Sequence, residues 1–310
     1  MVLITDSHII YCLKAIIKLG ICVAYDWELL KTSLPLLYSG ADSICLSLDI
    51  NRKSWSGRPY SFNNESFYSF VKSIDLQNKI IIYEDDFSLS NFTSLENDSR
   101  QRTLMAAQMG KGGWHVQVDS DEYFVNFNEF AEYLKSKPLS GLLFKKDINI
   151  CVNVVPVIKQ TDKGFLYVTN PGKNFEVFPL ATNRPEYTAA RRNGFFNHNT
   201  SFFIIHQTWA RNEQAVWEKI NSWGHEKDFV NMTSYFNLWK VLDECNFHYL
   251  RNFHPIVAEN WPMLKYCKGT IILDIVNHIK NENEFKIPFY KLFLKNSRNI
   301  QRIKSLLFIK

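Results

Sequence analysis

The chain has 310 residues, 46% of them hydrophobic and 15% aromatic, and carries a net charge of +5. That composition excludes collagen-like, disordered and coiled-coil chains and supplies enough apolar material for one large domain or two ordinary ones. No dense Lys/Arg stripe with interleaved aromatics runs through the body of the chain, so nucleic acid is not an expected partner, whereas a small anionic ligand suits the charge.

The segment from Ile9 to Val23 is apolar but interrupted by Lys14 and Lys18, with no basic start and no cleavage-site pattern. It reads as neither a signal peptide nor a membrane span. Ser7 as N-cap and Gly20 as stop frame a short helix between them. A buried strand is predicted at 21–25, followed by a helix at 27–38 in which Pro35 introduces a kink or an early end. A second strand at 44–48 ends on Asp49. Phe67, Phe70, Val71 and Ile74 form a helix face, and a third strand at 79–83 runs into the acidic cluster Glu84, Asp85 and Asp86. A helix at 100–109 stops at Lys111-Gly112-Gly113, and a fourth strand at 114–118 leads to Asp119.

Alternation of strand and helix predicts a mainly parallel sheet with covering helices. Ligands bind at the carboxyl ends of such strands, which places Asp26, Asp49, 84–86 and 119–121 along one edge. The second half is less regular. Strands are predicted at 142–145, 152–158, 165–168, 175–178 and 202–205, the last ending at His206, with helices near 213–223 and 236–243. From Lys286 onward there are seven Lys or Arg and no acid, with Phe289, Leu292 and Phe293 at helical spacing, as are Ile303, Leu306 and Leu307. This reads either as a basic amphipathic tail (286–310) lying on an anionic membrane or as a terminal helix with a solvated basic face. Six cysteines are scattered without a Cys-x-x-Cys pair and read as reduced, buried thiols of a cytoplasmic protein.

The richest segment is Gly112-Gly113-Trp114-His115-Val116-Gln117-Val118-Asp119-Ser120-Asp121-Glu122-Tyr123-Phe124. Two carboxylates at i and i+2, just past a buried strand, turn to one side if the backbone bends there. Hard cations such as Mg²⁺ or Mn²⁺ take oxygen ligands of this kind and keep positions open for phosphate oxygens. The bare pattern is common, and its place at the end of the fourth strand is what gives it weight; the alternative is a solvated turn.

Arg100-Gln101-Arg102, the helix to Gly110, Gly113-Trp114 and the run from Val118 to Phe124 together resemble the nucleotide-sugar core of glycosyltransferases related to families 2 and 92. The later stretch from His206 to Glu213, with Trp217-Glu218-Lys219 and Trp223-Gly224-His225, is similar to the late His and Glu–Lys helix of those enzymes. The resemblance spans roughly residues 20 to 230. It implies a GT-A (Rossmann-like) fold over 1–285, with a nucleotide-sugar half at about 20–125 and an acceptor half at about 126–285. It implies a metal at Asp119, Asp121 and His206, with Mn²⁺ or Mg²⁺ as cofactor. It further implies nucleotide-sugar contacts from Tyr25, Asp26, Asp49, Arg100, Arg102 and Ser120. The chain departs from the family at the base-binding loop, where Ala24-Tyr25-Asp26-Trp27 replaces the usual Thr-Pro-x-Tyr-Asn.

These residues have plainer alternatives. His206 suits a hydrogen-bonded core histidine. Arg100 and Arg102 suit surface residues paired with Glu96 or Asp98, and Asp49 suits a cap on a turn with Asn51. Glu84, Asp85 and Asp86 suit either a cleft rim or a solvated patch. Arg191-Arg192-Asn193-Gly194 suits an anionic ligand or a solvated basic turn. An inverting transferase needs a carboxylate base near the acceptor hydroxyl; Glu186 and Glu213 are the candidates, and spacing does not choose between them.

The expected function is transfer of a sugar from a UDP-type donor to a glycan or lipid-linked glycan in bacterial surface polysaccharide synthesis, at the inner face of the cytoplasmic membrane. A sugar nucleotidyltransferase would carry a Gly-rich basic loop after the first strand, where this chain has Tyr25-Asp26-Trp27-Glu28. A non-catalytic glycan-binding protein would use the eight Trp and fourteen Tyr, but it has no need of both Asp119 and Asp121.

Overall fold

Strand β1 (Ile17–Val23) is buried along its whole length, and its two faces serve different layers. Successive side chains of a strand point to opposite sides. Ile17, Leu19, Ile21 and Val23 join the large apolar cluster with the helices on one side, whereas Lys18, Gly20 and Cys22 face the other way. The computed structural model describes residues 15–137, 147–170, 175–222, 229 and 231–300.

β1 lies between β2 (Ser43–Asp49) and β4 (Trp114–Asp119), and β2 pairs with β3 (Ile80–Asp85); all three pairings are parallel. α1 (Leu30–Tyr38), preceded by a 3-10 turn and containing Pro35, buries Leu30, Leu34 and Leu37. α2 (Asn64–Ile74) adds Phe67 and Val71, and α4 (Phe127–Lys135) adds Phe127, Phe130 and Leu134 to the same cluster. α3 (Ser94–Gln108) covers the opposite face. A Cβ on Gly20 would meet Met105 Cε at 2.7 Å, so the glycine lets the helix approach the strand. This helix buries a polar face, Asn97, Asp98, Gln101 and Arg102, which only makes sense if something charged lies above it.

Beyond β4 the sheet continues through strands of mixed direction: β6 (Ile148–Gln160), β7 (Gly164–Thr169), β8 (Glu176–Thr182), β9 (Phe196–His206) and β10 (Met263–Lys268). The order is β10-β7-β6-β8-β4-β1-β2-β3, with β9 parallel to β6 and antiparallel to the three-residue β5 (Glu122–Phe124). Among the described residues this is one ten-stranded sheet, so the two halves share a single framework. α5 (Glu213–Ser222) and α6 (Met232–Lys240) pack over Trp209, Trp239 and Trp261, and α7 (Ile272–Asn281) closes a further cluster with Phe285. α8 (Phe289–Asn296) lies on β9. The fold is thus the expected mixed α/β, Rossmann-like arrangement: a mainly parallel central sheet flanked by helices, with a helical C-terminal region.

Several boundaries differ from expectation. Residues 17–20 are strand, not the end of a helix, because Lys18 Nζ reaches the carbonyls of Gly110 and Lys111 and so completes a buried strand; residues 7–14 lie outside the described residues. α3 begins at Ser94 rather than 100 because Thr93 and Glu96 form a reciprocal capping box. α6 begins at Met232 because the side chain of Asn231 accepts from Ser234 N. The predicted strand at 142–145 and the stretch at 303–308 lie outside the described residues. Cys22, Cys45, Cys151 and Cys267 are free and buried as expected, but Cys245 is exposed.

Candidate functional site

The carboxyl ends of β1, β2 and β4 open into a cleft lined by Tyr25, Asp26, Asp49, Trp55, Asp119, Ser120, Asp121, His206 and Lys219, among others. β5 is the reason His206 belongs to it. Its antiparallel pairing sets Glu122 opposite His206, so the end of β9 arrives beside the Asp119-Ser120-Asp121 turn. Ser33 Oγ holds that turn from α1 by donating to Ser120 O at 2.8 Å.

The two aspartates look in different directions. Asp119 accepts from Arg102 Nη2 at 2.8 and 3.2 Å, and Arg191 Nη2 lies 2.7 Å from its Oδ2. Arg102 also donates to Asp98 at 2.6 Å, and Arg191 grips Glu122 with both terminal nitrogens at 2.9 and 2.8 Å. The result is a buried chain of alternating charge: Asp98, Arg102, Asp119, Arg191, Glu122. Asp121 faces the cleft instead. Its Oδ2 accepts from Arg211 at 2.6 Å and from Lys219, with His206 Nε2 at 3.4 Å. Arg211 also donates to Asp26 at 2.9 Å, and Ser120 Oγ donates to the other oxygen of Asp26 at 3.0 Å.

Burial would raise the Asp121 carboxyl, but Lys219, His206 and Arg211 outweigh it and hold the group well below the usual carboxylate range. Burial acts on Asp119 in the same way and is outweighed by Arg102 and Arg191, so Asp119 is also lowered. Burial prevails at Glu122 and Asp98, whose carboxyls are raised despite their arginines. Lys219 is lowered by burial and by Arg211 beside it, only partly offset by Asp121. Burial and Asp26 raise the Tyr25 hydroxyl well above its ordinary value, so it stays protonated.

This arrangement determines which residues suit a divalent cation. Both oxygens of Asp119 are taken by guanidinium groups, so Asp119 serves as their counter-charge. Oδ1 of Asp121 has no donor among the described residues, and His206 Nε2 stands 3.4 Å from the other oxygen, Oδ2. Among the described residues no three His, Cys, Asp or Glu side chains are grouped for a metal. One carboxylate and one imidazole fit a cation that takes its remaining ligands from phosphate and water oxygens, as Mg²⁺ and Mn²⁺ commonly do.

Other expected site residues are placed differently. Asp49 lines the cleft, but its oxygens accept from the backbone N–H groups of Asn51, Lys53, Phe87 and Ser88; it pins two loops. Arg100 lies about 200° around α3 from Arg102 and sits near Tyr83 and Asp85, away from the cleft. Glu186 is exposed and paired with Arg184 at 2.8 Å, because its loop turns Arg191 inward instead. Glu213 is exposed at the start of α5 and pairs with Lys240 at 2.9 Å; the inward face of that helix carries Val216, Lys219 and Ile220. Neither glutamate reaches the cleft. Glu84, Asp85 and Asp86 also lie outside it, with Glu84 held by Arg52 at 2.7 Å.

Arg211 and Lys219 join the charged cluster although spacing did not single them out, and Arg191 joins it from the Arg191-Arg192-Asn193-Gly194 turn. The available signal was the helical period of α5, which puts Lys219 on one face with Val216 and Ile220. Asp121, Glu122 and Glu176 are the carboxylates in electrostatic range of His206; Glu176, the first residue of β8, is exposed and lies outside the cleft lining. No protein-family model and no curated protein matches this chain.

Proposed function

We propose that the chain is a GT-A-type glycosyltransferase that moves a sugar from a nucleotide-diphosphate donor, of the UDP type, onto a glycan or lipid-linked glycan with inversion. The observation that carries this reading is the convergence of Arg211, Lys219 and His206 on Asp121 at the carboxyl end of β4, inside a cleft bordered by Tyr25 and Trp55. Two buried cations that share one carboxylate can turn toward an incoming diphosphate without meeting bulk water, and charge placed in advance is what a departing diphosphate needs. Tyr25 and Trp55 offer flat apolar surface to a base. Asp121 and His206 would hold Mn²⁺ or Mg²⁺, which when bound supplies Lewis-acid neutralisation of the leaving group. Asp119 keeps Arg102 and Arg191 in place beneath the site.

A thermal-shift panel of nucleoside mono-, di- and triphosphates, with and without Mn²⁺, tests the reading. One nucleoside diphosphate should stabilise the protein selectively, by about 2.7 kcal/mol at a hundredfold excess over Kd, and more strongly with Mn²⁺ than without. A panel in which no nucleotide moves the melting temperature, or in which triphosphates alone do, would overturn the assignment.

A further inference from the structure

α8 makes an unusual surface. Its inner side docks on β9: Asn296 Oδ1 accepts from Asn199 N at 2.8 Å, Asn296 Nδ2 donates to Asn199 O at 2.9 Å, and Leu292 is half-buried. Its outer side presents Phe289, Tyr290, Phe293 and Leu294, which are 80, 60, 61 and 47% exposed. Single exposed apolar residues are ordinary, but four large ones on a helix of eight residues form a patch that marks a contact.

Three properties choose the partner. The patch is basic: Lys286 and Lys291 are exposed on or beside it, Arg298 follows, and no acidic residue occurs from Lys286 to Lys310. It is small and convex, since two helical turns span only about 12 Å and do not supply the roughly 800 Å² that each side of a stable protein–protein interface buries. A second copy of the chain would bring like charges together. Aromatic side chains pointing outward between cations on a short surface helix match the headgroup boundary of an anionic bilayer, where apolar rings enter the acyl edge and each cation gains from the surface potential.

We infer that α8 docks the protein peripherally on anionic membranes through Phe289, Tyr290, Phe293 and Leu294, with Lys291 supplying attraction. Among the described residues no helix is long and apolar enough to cross a membrane, so the contact is with the surface. The outer face differs from the one read in the sequence, because Leu292 turns toward β9 whereas Tyr290 and Leu294 point outward. The inference rests on α8 alone and stands whether or not the cleft binds a nucleotide.

Sedimentation of the full chain with vesicles of phosphatidylcholine, or of phosphatidylcholine mixed with phosphatidylglycerol, tests it. The protein should pellet with the anionic vesicles at low salt and be released at high salt. Phe289→Ser combined with Phe293→Ser should weaken binding at least tenfold without changing the circular dichroism spectrum. Lys291→Ala alone should weaken it about fivefold. The inference fails if the full chain ignores anionic vesicles or binds uncharged ones equally. It also fails if both sets of variants bind like wild type, which would hand the contact to another surface. A wild-type dimer that the double variant dissociates would assign the patch to a second copy and overturn the inference as well.

Discussion

Asp119 accepts from two arginines whose side chains are 2 and 7% exposed, whereas Asp121 accepts from Arg211 and Lys219 at the cleft wall. Substitution to asparagine should therefore act differently at the two positions. In Asp119→Asn, Arg102 keeps Asp98 and Arg191 keeps Glu122, but a buried network loses one charge of five. Removing one partner from a buried pair costs about 3–5 kcal/mol, and the retained partners put this case near the lower end. In Asp121→Asn, Arg211 still has Asp26, and the amide oxygen of the new side chain can still accept from Lys219. The second variant should melt close to wild type yet lose the Mn²⁺-dependent part of nucleotide stabilisation. Melting curves of both variants with and without nucleotide check this; equal melting temperatures would refute the division of roles.

The turn that aims β4 at the site is built on two glycines with different demands. Gly112 and Gly113 both have positive φ, +76° and +78°. A Cβ on Gly112 meets nothing within 4 Å, whereas one on Gly113 would stand 2.6 Å from Ile16 O, the carbonyl that also accepts from Trp114 N. Gly112→Ala should cost only the left-handed backbone penalty, about 1–2 kcal/mol. Gly113→Ala adds a backbone clash that cannot relax without disturbing the first pairing of β1 with β4. Its melting temperature should fall clearly further in chemically matched variants. The spacing of Lys111-Gly112-Gly113 marked the turn; the different burdens of the two glycines depend on where Ile16 ends up.

His115 links one buried ring to the stability of the whole molecule. It is the second residue of β4, fully buried, and burial followed by Lys18 pushes it down to about 4. The unfolded chain binds that proton near pH 6.5. Between those values the unfolded state holds a proton that the folded state refuses, so stability is intact above about pH 6.5 and declines as pH falls toward 4, by about 3 kcal/mol in all. His115→Leu should flatten this decline. Chemical denaturation at pH 7 and pH 5 measures it, and parallel losses in wild type and variant would remove His115 as the source.

Much of the first half was legible because its signals are local. Apolar runs ended by acidic residues located β2, β3, β4 and the second half of β1, and the order of strand and helix required a mainly parallel sheet whose carboxyl edge gathers Asp26, Asp49 and Asp119-Ser120-Asp121. Elements whose reasons lie elsewhere in the chain were harder to read. β5 is three residues long and exists because β9 pairs with it, which is also what brings His206 to Asp121. Side-chain direction was likewise undecided. Whether Arg100 or Arg102, Glu213 or Lys219, Glu186 or Arg191 turns inward toward the aspartates depends on helix phase and loop path, and these follow from packing against the sheet. The sequence thus determined which carboxylates sit at the strand ends. Only the tertiary structure decided which cations neutralise them, because a buried charge takes its partner from whatever the fold brings within 3 Å, at a separation of up to 185 residues for Arg211 and Asp26.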